Sequence, residues 1–130
     1  MSSIFSKIIS GEIPCHKVAE DSKHLAFLDV NPLKQGHVLV IPKQPIDYIF
    51  DMAPDDYTAL NLFAQEVAKG IKLAIDCKKI GVVVIGLEVP HAHIHLIPIS
   101  SVSDIDFSKQ KMIPTNGELM ATAEMIKKFL

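Results

Sequence analysis

The chain has 130 residues, enough for one domain with a real core and too few for two. Its 48% hydrophobic and 22% charged residues are those of an ordinary globular protein, and a net charge of −2 removes any electrostatic case for binding nucleic acid or an anionic membrane. No basic run exceeds a pair, no apolar run approaches a membrane span, and the opening Met-Ser-Ser-Ile-Phe-Ser-Lys lacks the apolar stretch of a secretory signal, so a cytoplasmic protein is expected. Cys15 and Cys77 stand far apart outside any Cys-x-x-Cys pattern and read as core thiols of a reducing compartment.

Taken in chain order, residues 3–10 offer a short helix. Ser2 or Ser3 caps it, Ile4, Phe5, Ile8 and Ile9 form its apolar side, and Gly11 ends it. An extended stretch runs from Pro14 towards Val18, and Glu20-Asp21-Ser22-Lys23 reads as a turn before a strand over Leu25–Val30. Asn31-Pro32 breaks that strand, Lys34-Gln35-Gly36 turns the chain, and a second strand over His37–Ile41 stops at Pro42. The clearest helix covers 54–75. Pro54 suits its first turn, Asp55 and Asp56 favour its positive end, and Tyr57, Leu60, Ala64, Val67, Ile71 and Ile75 recur at helical spacing. Gly70 costs that helix about 1 kcal/mol relative to alanine. Ile80–Ile85 is an apolar strand that feeds, through Gly86–Pro90, a row of histidines. Near the end, Thr115 and Glu118 form a capping-box pattern ahead of Leu119, Ala123 and Ile126. Helix, hairpin, long helix, hairpin and helix in that order predict an α+β fold with an antiparallel sheet.

The row itself reads His91-Ala92-His93-Ile94-His95-Leu96-Ile97, half of the six histidines alternating with apolar residues. In an extended strand all three rings share one face, while Ala92, Ile94 and Leu96 share the other. Imidazoles make poor core material, because each carries two nitrogens that need partners. Neighbouring same-face residues lie roughly 6.6 Å apart, so His91 and His95 are about 13 Å apart and one metal ion takes two of the three at most. An elongated anion fits the row better, one ring attacking while its neighbours donate to oxygens along a phosphate chain. Phosphate-ester chemistry, a metal site and a purely structural row remain the three readings of the residues alone.

The stretch from Gly86 to Pro98 resembles the signature of the histidine triad (HIT) family, in which three histidines alternate with apolar residues. Ile4-Phe5-Ser6-Lys7-Ile8-Ile9 with Gly11-Glu12-Ile13-Pro14 resembles the opening of that family. Ala26-Phe27-Leu28-Asp29-Val30 with Gly36-His37-Val38-Leu39-Val40-Ile41-Pro42-Lys43 resembles its central hairpin. Three blocks in the right order point to the nucleotide-binding, phosphoramidase-like (Hint-like) branch. The resemblance implies a single domain over 1–130, with a five-stranded antiparallel sheet, one long central helix, a short N-terminal helix and a C-terminal helix. It also implies a homodimer, a purine nucleotide ligand resembling AMP, and no cofactor.

By the same resemblance the chain hydrolyses a nucleoside phosphoramidate or adenylyl conjugate at the α-phosphate. His93 is the nucleophile and forms a covalent nucleotidyl-histidine, His95 and His91 donate to phosphate oxygens, and His37 is the additional histidine beside the triad. Asp29 accepts hydrogen bonds from the ribose hydroxyls. Ile4, Phe5, Ile8, Phe27 and Val30 wall the base, while Glu88 and Val89 lie along the nucleotide. His16 and His24 match nothing and are expected at the surface. Glu88 stands where many relatives carry a hydroxyl that helps protonate the leaving group, and the apolar 80–85 stretch lacks their polar amide. Ser3 and Ser6 stand where some bacterial relatives carry a zinc-binding Cys-x-x-Cys, so no metal is expected. The alternatives are hydrolysis of dinucleoside polyphosphates, a nucleotide-binding regulatory module with little turnover, and a metal-dependent hydrolase.

Overall fold

Short polar side chains decide where the elements begin and end. The Ser3 hydroxyl accepts the Ser6 N–H at 3.1 Å and caps helix α1 (Ile4–Ile9). The computed structural model describes residues 3–130, so Ser2, the other expected cap, lies outside the described residues. Gly11, at a φ of +85°, turns the chain out of α1.

Strand β1 (Lys17–Glu20) reaches further than the sequence suggested, because the turn begins at Asp21 rather than Glu20. Asp21 Oδ1 accepts the N–H groups of Lys23 and His24 at 2.8 and 2.7 Å, closing the turn tightly. Strand β2 (His24–Leu28) ends two residues earlier than expected, since Asp29 Oδ1 accepts the Asn31 N–H at 2.9 Å and bends the chain away. Strand β3 (Val38–Pro42) follows, then the long helix α2 (Pro54–Ala74), strand β4 (Lys79–Val83), strand β5 (Ile94–Ile99) and helix α3 (Asn116–Lys127). The reciprocal bonds Glu118 N–H to Thr115 Oγ1 (3.1 Å) and Thr115 N–H to Glu118 Oε1 (2.9 Å) form the expected capping box of α3.

The five strands form one antiparallel sheet in the order β1-β2-β3-β5-β4. One face packs on α2 and α3 through Ala26, Val38, Val40, Ile94 and Leu96 against Leu60, Val67, Ile71 and Ile126. The other carries a smaller cluster of Leu25, Phe27, Leu39 and Ile41 beneath Phe5 of α1. Gly70 has a reason to interrupt α2: a Cβ there would strike the Leu130 side chain that folds back onto the helix. Strand β4 is an edge, and Val82, Val84 and Ile85 on and after it are exposed.

Two expectations fail in detail. His24 is buried, not at the surface: its ring lies 5.0 Å from that of Phe63, and Nδ1 is 3.0 Å from Asp21 Oδ2. Cys15 and Cys77 are free and half-buried rather than in the core, and burial still pushes the Cys15 thiol up. Among the described residues no helix is long and apolar enough to cross a membrane.

Candidate active site

The paired part of the histidine row starts at Ile94, three residues later than the sequence suggested. The Ala92 N–H donates to the Ile46 carbonyl at 2.7 Å, outside the sheet, so the backbone enters the ladder only where Val40 faces Ile94. Alternation survives this. Leu39 sits opposite His95, and the His93 and His95 rings lie 4.9 Å apart on the face beneath α1. Phe5 meets His93 edge-on at 5.0 Å and His91 at 5.9 Å.

Hydrogen-bond partners assign a tautomer to each neutral ring. His93 Nδ1 lies 2.8 Å from the His91 carbonyl oxygen, which only accepts, so Nδ1 carries the proton and donates it. That leaves the Nε2 lone pair as the open nitrogen of His93, with no partner among the described residues. His91 is committed differently. Its Nε2–H donates to the Pro42 carbonyl at 2.8 Å, its Nδ1 faces the Ser3 hydroxyl at 3.5 Å, and the residue is 1% exposed. The His91 ring, expected to donate to a phosphate, thus has both nitrogens facing protein atoms. Its ring ties the start of the row to β3 and α1, and its backbone carbonyl holds His93.

At the other end, the Leu33 N–H donates to His37 Nδ1 at 3.1 Å, so that nitrogen must be unprotonated. The proton of His37 sits on Nε2 and is donated to His95 Nδ1 at 2.9 Å, which in turn places the proton of His95 on Nε2. One backbone N–H thus sets two tautomers in series. Burial, helped by the neighbouring histidines and Lys111, pulls His37 down to about 3 and His95 down to about 4, so both rings are neutral near pH 7. Burial also lowers His91.

Asp29 sits at the end of β2 with its Oδ2 3.8 Å from His37 Nε2. Because His37 is neutral and its proton points at His95, this is proximity rather than an ion pair. Burial raises the Asp29 carboxyl, while the Asn31 N–H and the charge of Lys111 act against that rise. One ligand atom from each of Asp29, His37 and His95 lies within 4.8 Å of the other two, close enough for a metal ion. Yet His37 Nε2 and His95 Nδ1 share one proton at 2.9 Å, so they face each other, not a common ion. Coordinating a cation there requires breaking that bond and turning a ring.

The apolar residues expected around the base divide. Phe5 and Phe27 are buried, their rings 5.7 Å apart, and Ile8 and Val89 pack beside them. Ile4 and Val30 are about half exposed, at 50% and 56%, so neither is core. Glu88 is exposed in the connection before the row. Sequence reasoning missed Phe107, whose ring lies 5.0 Å from His95 and 6.4 Å from His37. A lone aromatic in the otherwise polar stretch 106–111 was its only signal. Lys111, whose charge reaches Asp29, His37 and His95, was missed as well.

Residues 10–102 match the HIT domain, well over half of the chain. The chain belongs to the HIT family. All three histidines of the row, His37 and Asp29 fall inside the matched region, and Phe107 lies beyond it. A HIT-like protein of Methanocaldococcus jannaschii is 43% identical over 106 residues, 73% of this chain and 77% of that protein. The adenosine 5'-monophosphoramidase of Schizosaccharomyces pombe is 36% identical over 103 residues, 75% of this chain and 74% of that enzyme. A crystal structure of a HIT-like protein involved in cell-cycle regulation from Bartonella henselae shares the fold with a TM-score of 0.86 at 30% identity. That match covers 99% of this chain and 97% of the other.

Proposed function

We propose that this HIT protein is a nucleotidyl hydrolase of the phosphoramidase-like (Hint-like) branch, cleaving nucleoside phosphoramidates or adenylyl conjugates at the α-phosphate. The observation that carries the reading is the bond from His93 Nδ1 to the His91 carbonyl, which in the neutral ring makes Nε2 the open, lone-pair nitrogen. A neutral imidazole presenting a lone pair is what attack on phosphorus requires. His93 Nε2 attacks, the new N–P bond forms, and the leaving amine departs with the electron pair of its bond and takes up a proton. Water then attacks the nucleotidyl-histidine and releases AMP. The His95 Nε2–H, fixed through His37, donates to a phosphate oxygen as charge builds there. Asp29 Oδ2, free of the backbone bond that occupies Oδ1, accepts from the ribose diol, and Phe5, Phe27, Ile8, Ile4, Val30 and Val89 line the purine side.

The phosphoramidase relative supports this reading. The charge of Lys111 beside the histidines favours a second one, cleavage of dinucleoside polyphosphates, whose longer anion would meet it. Incubation with adenosine phosphoramidate and with diadenosine polyphosphates, each with and without a chelator, separates the two. AMP release from the phosphoramidate, insensitive to chelator, is expected. Tight AMP binding without turnover of either compound would instead make the protein a regulatory module. The same reading includes a cytoplasmic homodimer joined along the exposed β4 edge, for which a sedimentation mass of one chain at micromolar concentration is the refuting result.

A further inference from the structure

Beyond the HIT-matched region the chain does not leave the histidine face. Asp104 Oδ2 accepts the N–H groups of Ser100 and Ser101 at 2.8 and 3.0 Å, and Oδ1 pairs with Lys34 at 3.0 Å, tying the turn after β5 to the connection between β2 and β3. Ile105 then fills the space above Gly81, where a Cβ would strike it. Further on, the Met112 N–H donates to the Pro32 carbonyl at 2.9 Å and the Asn31 amide donates to the Met112 carbonyl at 3.4 Å. Phe107 lies between these two anchored ends. Its ring meets His95 at 5.0 Å with an interplanar angle of 70°, and His37 at 6.4 Å and 79°.

The His95 ring has a single hydrogen bond among the described residues, accepted at its Nδ1 from His37 Nε2. One bond sets the tautomer but leaves the ring free to tilt about it. The His93 ring meets it on one side at 4.9 Å, and Phe107 adds a second restraint, meeting the ring edge-to-face in the arrangement aromatic pairs favour. The same ring also reaches His37, the other partner of the His37–His95 bond, and a hydrogen bond shielded from water is electrostatically strongest.

We propose that Phe107 is a positioning residue, which holds the His95 ring with its Nε2–H turned towards the phosphate and keeps the His37–His95 bond dry. The proposal rests on the hydrolytic reading for its catalytic consequence, but the ring contact can be tested without substrate. The experiment compares the full chain with Phe107→Ala and Phe107→Leu. It uses the nitrogen-15 spectrum of the His95 ring near neutral pH without nucleotide, together with kcat and KM for adenosine phosphoramidate.

Phe107→Ala is expected to blur the pure Nε2–H signature of His95 into an averaged one. It should lower kcat by up to about tenfold, the scale of a lost edge-to-face ring contact, and move KM much less. Phe107→Leu, which restores apolar bulk, should recover most of the signature and the rate. An unchanged His95 spectrum in Phe107→Ala overturns the proposal, as does a rise in KM alone, which would make Phe107 a wall for the ligand. A Phe107→Leu variant as impaired as Phe107→Ala also overturns it. An unaltered chain without turnover, combined with a changed spectrum in Phe107→Ala, would sink the hydrolytic reading and leave the positioning contact standing.

Discussion

The two ends of the histidine row contain the same residue in the same alternation, yet their environments give them different work. At the His91 end both ring nitrogens face protein partners, Pro42 and Ser3, and the ring is sealed beneath Phe5. At the His95 end one nitrogen is fed by His37 and the other is left to donate outward. His93, between them, has its proton held by the His91 backbone. What differs is the set of acceptors and donors that the fold brings to each ring, and that set decides which nitrogen is offered to a substrate.

Replacing the middle ring should break this comparison most severely. His93→Ala is expected to remove turnover by several orders of magnitude while AMP still binds in calorimetric titration. A covalent nucleotide trapped on the unaltered chain should map by mass spectrometry to His93, and its appearance on another residue would sink the assignment.

Acid should weaken the His95 end before it touches the rest of the site. His37 and His95 titrate in the folded chain at about 3 and about 4, below the ordinary value near 6.5 that they recover on unfolding. The unfolded chain therefore binds more protons between those limits. The stability these rings contribute is present in full above about pH 6.5 and is lost as pH falls towards 4. Urea midpoints measured from about pH 7.5 to about pH 4.5 should fall over that window. His37→Leu should flatten the dependence. A midpoint that stays level through the window would show that the rings are not buried neutral.

Asp29 offers a sharper comparison within the proposed ligand site. Asp29→Ala should weaken ribonucleotides by about 1.5–3 kcal/mol while 2',3'-dideoxynucleotides, which lack the diol, lose little. Equal losses in calorimetry would make Asp29 a structural residue at the β2 turn instead.

The smallest effect on rate is expected at the end opposite His95. His91→Ala removes the ring that satisfies the Pro42 carbonyl, so it should cost about 1–3 kcal/mol of stability in denaturant. It keeps the backbone carbonyl that holds His93, and turnover per folded molecule should change by no more than about threefold. A loss of rate comparable to that of His93→Ala would restore the His91 ring to the chemistry.

Local patterns in the sequence determined the element types. The periodicity of α2, the short apolar run of β3, the Thr115–Glu118 capping box and the three HIT-like blocks depend on residues close in the chain, where spacing and geometry are tightly linked. The histidine row was legible for the same reason, and so were Asp29 and His37 through their place in the central hairpin. Tertiary structure decided everything that needed a partner from elsewhere. Leu33 sets the tautomers of His37 and His95, Pro42 occupies His91, and Phe63 receives the ring of His24, which the sequence had left at the surface. Phe107 was the hardest to foresee. A single aromatic in a polar loop has no periodicity to reveal its direction, and only the anchors at Asp104 and Met112 bring it onto His95. A proton's position on an imidazole is a property of contacts, and contacts between distant residues exist only once the chain has folded.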